Sequence, residues 1–231
     1  MPDPLDGARR AQIIRQLELL DPVPAFERIV RIGAKAAAAP MAVVTLVSDV
    51  VQHNVARVGV DDPETPLADA FCVCALDSSD LLLVPDAQGD TRVANSHLVT
   101  GPLQVRSYAG APVCLDGLVL GTICVMDHVP RTFDERTLAI LSDLSAMLED
   151  VIRLRREENL RQLERRRAFD CACAAGQWLW ELGMDDRLTW IGGDTECENA
   201  RLSADTLGQP LVDRPLLDWA GAPIMPPVTL H

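Results

Sequence analysis

The segment Val105–Asp127, VRSYAGAPVCLDGLVLGTICVMD, constrains this chain more than any other. Two apolar runs flank Asp116-Gly117, a dipeptide that accepts the positive φ values of a tight turn, so the segment predicts a β-hairpin. With a two-residue turn, Cys114 pairs with Val119 and Cys124 with Ala109, which keeps those two sulfurs from meeting as a disulfide. No catalytic group stands out on the hairpin. A long helical pattern opens immediately afterwards, at Thr132 to Glu135, so the hairpin reads as the closing half of a sheet-plus-helix domain suited to sensing or partner contact.

The chain has 231 residues, 48% hydrophobic and 24% charged, enough for one full domain and something smaller. Its formal net charge of -13 repels nucleic-acid phosphates, and the arginines concentrate in one helical stretch rather than in a basic patch interleaved with aromatics. Nucleic-acid binding is therefore not expected. No apolar run reaches the roughly 18 residues needed to cross a bilayer, and the opening MPDPLDGARR lacks the apolar core of a secretory signal. Seven cysteines without such a signal point to free thiols in a reducing compartment, and the expected location is cytoplasmic.

Apolar positions from Asp6 to Leu20 predict an amphipathic helix ended near Pro22, and a second helix starts at Pro24 with Phe26, Ile29, Val30, Ile32, Gly33, Ala36 and Ala37 on roughly one face. Pro40 breaks that pattern before a β-branched run, Ala42 to Val47, which is a strand. Ser48-Asp49 turns into a second strand, Val50 to Val58, followed by a polar loop from Gly59 to Pro66. Ala68 to Leu76 reads as a short helix or bend, Leu81 to Val84 as a short buried strand, and Pro85 to Gly101 as a long irregular crossing of the kind that frames ligand sites.

After the hairpin, Thr132-Phe133-Asp134-Glu135 reads as a capping box, with the threonine hydroxyl first and a carboxylate three residues on. Leu138, Leu141, Leu144, Leu148 and Val151 then form a seam, for the domain's own sheet or for a partner helix. Beyond Ile152 the stretch RLRREENLRQLERRR has few apolar residues, which implies a helix exposed on most sides: a solvated linker or a dimeric signalling helix. From Phe169 the character changes. Gln177 to Leu182 and Arg187 to Ile191 predict two short strands around a turn, a short helical region follows near Asp194 to Ala200, and prolines dominate the rest. About 60 residues of that composition are marginal for an independent core, so the segment is expected to be an incomplete domain.

Candidate site residues come from three groups. Cys72 and Cys74, two apart, would project their thiols from one face of an extended segment, within reach of an oxidant or a shared metal. Cys171 and Cys173 repeat the spacing. Cys-x-Cys lacks the Cys-x-x-Cys turn of zinc sites and the pairs fall in separate segments, so no metal site is expected and the cysteines read as small apolar residues. Asp86, Asp90, Arg92 and Tyr108 are the second group, since the loop and the hairpin could bring carboxylate, guanidinium and phenol to one concavity. Alternatively, Asp86 and Asp90 cap turns and Arg92 pairs with one of them. His53, His97 and His128, the third group, are scattered over a strand, a loop and a hairpin exit without the ordering of a hydrolytic triad. Trp178, Trp180 and Trp190 read as core.

The motifs Phe71-Cys72, Val84-Pro85-Asp86-Ala87, Asp90-x-Arg92, Leu98 to Pro102, Tyr108 to Pro112 and Gly121 to Val125, with Pro130-Arg131-Thr132-Phe133, resemble a bacterial GAF domain over about residues 5–154. The resemblance implies an α+β fold with an antiparallel sheet flanked by helices, a small-molecule pocket between the sheet and the long loops, and output domains downstream. Departures accompany the matches. Phe71-Cys72-Val73-Cys74 stands where related sequences read FCAH, Leu67 where an arginine is common, Val93 for a phenylalanine and Ser107 for an aromatic. Neither the cyclic-nucleotide motif nor the bilin-attachment Cys-His pair is present, and no cofactor is assigned. Residues from Phe169, with Gly176 to Leu182, Asp186 to Trp190 and Leu207 to Leu211, are similar to the opening of a PAS domain.

The organisation expected is an N-terminal helix (1–22), a GAF-like sensory domain (23–152), a linker helix (153–168) and a partial PAS-like segment (169–231), as in the sensory front of histidine kinases or diguanylate cyclases. The expected function is a cytoplasmic signal-transduction module in two-component or cyclic-di-GMP signalling. It would bind a small molecule or partner through Cys72, Cys74, Asp86, Asp90, Arg92 and Tyr108, and would relay the input through a homodimer formed along the Thr132 to Arg167 helix. On this reading the chain is not an enzyme and carries no catalytic or metal residue. Two alternatives stand beside it. One is a thiol-dependent redox enzyme of the GAF-type methionine sulfoxide reductase kind using Cys72, Cys74 or Cys124. The other is a degenerate interaction domain whose pocket is filled by its own side chains.

Overall fold

The β-branched run after Pro40 becomes the central strand β1 (Met41–Val47), which turns at Ser48 into β2 (Val51–Val58). The Ser48 hydroxyl accepts the Val51 N–H at 3.1 Å, closing that turn. This is a computed structural model, and it describes residues 4–76, 80–174, 179–182 and 188–192. Four further strands complete one antiparallel sheet: β3 (Glu64–Pro66), β4 (Leu82–Val84), β5 (Ser107–Leu115) and β6 (Leu118–Asp127), in the order β3-β2-β1-β6-β5-β4. Short β3 lies inside the stretch read as a polar loop; its pairing with Val51 to His53 puts Thr65 in the ladder, although three residues that follow Pro63 and end in Pro66 carry no periodicity to betray a strand. The hairpin turn is as expected, with positive φ at both Asp116 (50°) and Gly117 (79°).

Helices cover one face of this sheet: α1 (Pro4–Gln16), α2 (Pro24–Ala36) and the first half of α4 (Glu135–Ala174). Helix α1 stops at Gln16, four residues short of the expected end, because the chain reverses through Glu18 at φ 49°. In α2 the buried stripe is Phe26, Ile29, Val30, Gly33 and Ala34; Ile32, placed on that face by its apolar character, points outward and is 48% exposed. Helix α4 begins one residue after Asp134, whose carboxylate accepts the Thr137 N–H at 2.9 Å. The cap is therefore Asp134 and not Thr132, and hydrogen bonding to Thr137, through its side chain first and its N–H second, holds the Asp134 carboxyl below its usual range. Leu141, Leu144, Leu148 and Ile152 pack into the same core as α1, α2 and the sheet, so the leucine seam faces the domain's own sheet. Further on, Leu154, Leu160 and Leu163 are exposed.

Irregular segments cover the opposite face. A 3₁₀ helix, Phe71–Ala75, and the crossing that contains the one-turn α3 (His97–Thr100) pack on Met41, Val43, Tyr108, Cys124 and Met126. Two β-bulges decide which side chains look this way. In β6, Val113 pairs with Gly121 but Cys114 with Val119, so Leu120 is the extra residue. In β2, Val44 pairs with Ala56 but Thr45 with Asn54, which leaves Val55 extra. The first bulge corrects the register expected from the turn: Cys114 does pair with Val119, but Cys124 pairs with Gly110.

The chain divides into two compact units, residues 1–158 and 159–231. Within the second, β7 (Leu179–Leu182) and β8 (Leu188–Gly192) pair antiparallel where two short strands were expected. The helical region near 194–200, the proline-rich end and the side chains of Trp178, Trp180 and Trp190 lie outside the described residues.

Placing the α4 seam on the sheet has a measurable consequence. Leu148→Ala, at a fully buried position, should lower unfolding free energy in urea by about 2–5 kcal/mol, whereas Ile32→Ser on the outer face of α2 should change it by about 0.5 kcal/mol or less. Equal effects at the two positions would contradict the packing.

Candidate functional site

On the irregular face lies a small cavity, about 20 Å³ in the space open to the centre of a water-sized sphere, room for roughly one water molecule. Its floor is the sheet: Thr45 on β1, Gln52 and Asn54 on β2, Thr65 on β3, Tyr108 on β5, and Thr122 and Cys124 on β6. Phe71 and Cys72 of the 3₁₀ helix, with Val60, Leu98 and Leu103, form the cover.

The polar floor carries two hydrogen-bonded sets of side chains. The Thr122 N–H donates to the Thr45 hydroxyl at 3.1 Å, and the two threonine hydroxyls lie 3.1 Å apart. The Tyr108 hydroxyl is 3.4 Å from that of Thr122. On the other side the Cys72 thiol donates to Gln52 Oε1, and Gln52 Nε2 donates to Asn54 Oδ1 at 2.7 Å. Asn54 Nδ2 in turn donates to Thr65 Oγ1 at 3.1 Å and to the Asp62 carbonyl at 2.9 Å. A buried polar network of this kind fixes its members, because each unmade bond would leave a desolvated group. Tyr108 has a further support in its own strand. A Cβ at Gly110 would collide with the phenol, so the absent side chain lets the ring lie along β5, edge-on to Phe71 at 5.4 Å between centroids.

Burial governs the chemistry of these groups. It pushes the Cys124 thiol from 9.0 up to about 12, and it pushes Cys72 up further, with the neighbouring Cys124 adding to the effect. The Tyr108 phenol is likewise held well above its ordinary value by burial, then by the two thiols. Such thiols stay protonated near neutral pH and are poor nucleophiles.

The candidate residues divide between this cavity and the surface. Cys72 and Tyr108 line the cavity. Asp90 and Arg92 pair with each other at 2.6 Å on the surface, where Arg92 also donates to the Leu83 carbonyl, and this bonding lowers the Asp90 carboxyl. Asp86 pairs with Arg106 at 3.0 Å and caps its own turn by accepting the Gln88 N–H. The expected meeting of these charged groups with the phenol in one concavity is corrected: the short turns after β4 spend both carboxylates locally, and Tyr108 points to the buried side. Cys74 is exposed, because a 3₁₀ helix turns by about a third of a circle per residue and does not hold residues two apart on one face. His53 faces Glu64 across β2 and β3 at 3.2 Å, and His97 and His128 sit on α3 and beyond β6. Gln52, Asn54, Thr65, Thr45 and Thr122 were not singled out from the sequence. Alternation in Val51-Gln52-His53-Asn54-Val55 is a usable signal, since it sets Gln52 and Asn54 on one side of a strand.

Residues 21–152 match the family model of the GAF domain. The chain belongs to the GAF family. Among relatives with curated functions, a cyclic di-GMP phosphodiesterase of Pseudomonas aeruginosa is 32% identical over 162 residues, which is 68% of this chain but only 28% of that protein. Among solved structures, the GAF domain of PixJ from Thermosynechococcus elongatus superposes with TM-score 0.50 at 24% identity, over 64% of this chain and 95% of that one. Free methionine-R-sulfoxide reductase from Neisseria meningitidis superposes with TM-score 0.50 at 18% identity, over 63% and 89%. These structural likenesses confirm the GAF fold. The phosphodiesterase corrects the expectation that the chain is not an enzyme: a relative of this domain lies in a protein named for catalysis, which ties the chain to an enzyme-associated family, a link that the GAF residues themselves do not spell out. Among the described residues no helix is long and apolar enough to cross a membrane.

Burial should set the order of thiol reactivity. With iodoacetamide at about pH 8, native protein should be alkylated at Cys74 while Cys72 and Cys124 resist until the chain unfolds. Both buried thiols bind protons more tightly folded than unfolded, so their stabilising contribution is complete below pH 9 and is lost as pH rises toward about 12. Mass mapping that finds Cys72 or Cys124 labelled first would contradict the burial.

Proposed function

We propose that this chain is the cytoplasmic input module of a cyclic di-GMP signalling enzyme, a GAF domain whose cavity state is relayed through the β5–β6 hairpin to helix α4. The observation that carries the relay is the strapping of that hairpin to α4. The Ser145 hydroxyl donates to the Pro112 carbonyl, Glu149 Oε1 accepts the Cys114 N–H at 2.8 Å, and Arg156 pairs with Asp116 in the turn. Cys114 borders the β6 bulge, so its amide is free to be taken by a helix side chain. Tyr108, Thr122 and Cys124 sit on the same hairpin, which connects cavity floor and helix through two hydrogen-bonded strands.

Helix α4 continues to Ala174 with Leu154, Leu160 and Leu163 exposed among arginines and glutamates, and this supports a second copy as the partner along the helix. Relation to the phosphodiesterase supports an output in cyclic di-GMP turnover, with residues 153–168 as the connection and 169–231 as the start of a further, PAS-like domain. A second reading, a GAF domain closed by its own side chains and acting only through protein contacts, is favoured by the small cavity and by buried Val93.

Native mass spectrometry of protein purified from its own host separates these readings. The proposal expects a dimer carrying a small molecule; a dimer carrying nothing favours the closed domain, and a monomer carrying nothing contradicts both.

A further inference from the structure

The cavity is built from uncharged groups throughout. Among the described residues that line it there is no aspartate, glutamate, lysine, arginine or histidine, yet eight of them offer a hydroxyl, an amide or a thiol. Three arginines on the surrounding elements are used elsewhere. Arg92 is held by Asp90 and Leu83, Arg106 by Asp86, and Arg131 by Asp127 and the carbonyls at the end of α2. Bringing a phosphate or carboxylate into such a site would bury a charge without a counter-charge, a cost of several kcal/mol that neutral hydrogen bonds do not repay.

We infer that the cavity takes an uncharged molecule of a few heavy atoms that both donates and accepts hydrogen bonds, of the primary-amide or small-alcohol class, and that it excludes phosphodiesters, cyclic di-GMP among them. The inference rests on the sensory reading proposed above and names its ligand class. The wall supplies both kinds of partner. Gln52 Nε2 carries two N–H groups and gives one to Asn54, which leaves the other for a guest. The Tyr108 and Thr122 hydroxyls, 3.4 Å apart, can each turn to donate or accept. Size sets the other limit. The cavity has room for roughly one water molecule, so a small amide requires Leu98 or Leu103 on the cover to move aside, whereas a nucleotide needs a pocket of about 300 Å³ or more. If the phosphodiesterase relative indicates the output, input and output then recognise different chemistry, and the domain does not report on the nucleotide that the output would hydrolyse.

The test compares two molecules of one shape and different charge. Acetamide, acetate and cyclic di-GMP are titrated separately into the full ¹⁵N-labelled chain, and the side-chain amide signals of Gln52 and Asn54 are followed. Acetamide should shift them along a saturable curve, and Tyr108→Phe, which keeps the ring, should weaken that binding about three- to tenfold. Acetate and cyclic di-GMP should leave them unmoved. Saturable shifts with either anion, or none with acetamide, would overturn the ligand class. The sensory reading would survive the first result, because a charged ligand would still be a ligand. Its own failure shows instead as an unliganded species, dimer or monomer, in the native mass spectrum. If Tyr108→Phe does not fold, the acetamide–acetate comparison on the native chain decides alone.

Discussion

The extra residue in β6, Leu120, fixes what faces what in this domain. A strand alternates strictly, so side chains that begin on the helix side at Leu118 would, without the bulge, bring Thr122, Cys124 and Met126 to that side as well. With Leu120 inserted, Leu118, Leu120, Ile123 and Val125 all join the helix-side core, and Thr122 and Cys124 turn to the cavity. Gly121 follows directly, where the backbone of β1 comes so close at Thr45 that a Cβ has no room. The matching bulge at Val55 does the same for Gln52 and Asn54. Two single-residue insertions thus assemble a polar floor from strands that are otherwise apolar.

That assembly explains how much of the molecule could be read from its residues. The β5–β6 hairpin, the β-branched β1 and the leucine seam of α4 each carry a strong local signal, turn dipeptide, branching or periodicity, and each forms where its signal lies. Cys72 was singled out for its spacing from Cys74 and Tyr108 for its place where loop and hairpin could meet, and both line the cavity. Bulges have no local signature here: nothing in Leu118-Val119-Leu120-Gly121 distinguishes a regular ladder from one with an insertion, so the pairing of Cys124 came out one residue off. Gln52 and Asn54 escaped notice for a related reason, since they face β3, a strand of three residues in the polar loop that follows β2. Asp86 and Arg92 show the opposite error, in which charged residues close in sequence satisfy one another on the surface before they can serve a pocket.

The site also changes how the cysteines are viewed. A Cys-x-Cys beside a conspicuous hairpin suggests thiol chemistry, but the 3₁₀ turn separates the pair, leaving Cys74 in solvent and Cys72 as a hydrogen-bond donor to Gln52. Burial without a nearby cation moves a thiol away from the thiolate, the reverse of what a redox nucleophile requires. Cys72 and Cys124 are better understood as polar wall than as reactive groups.

The central claim is that the cavity floor and helix α4 are mechanically joined through the β5–β6 hairpin. Hydrogen–deuterium exchange on Gly110→Ala tests it most directly, because the added methyl displaces the Tyr108 phenol while every contact between the hairpin and α4 keeps its own residues. The account expects exchange to change several-fold across residues 145–158 of α4 and to stay as in the parent across residues 24–36 of α2. Unchanged exchange in α4, with the cavity signals displaced, would contradict it.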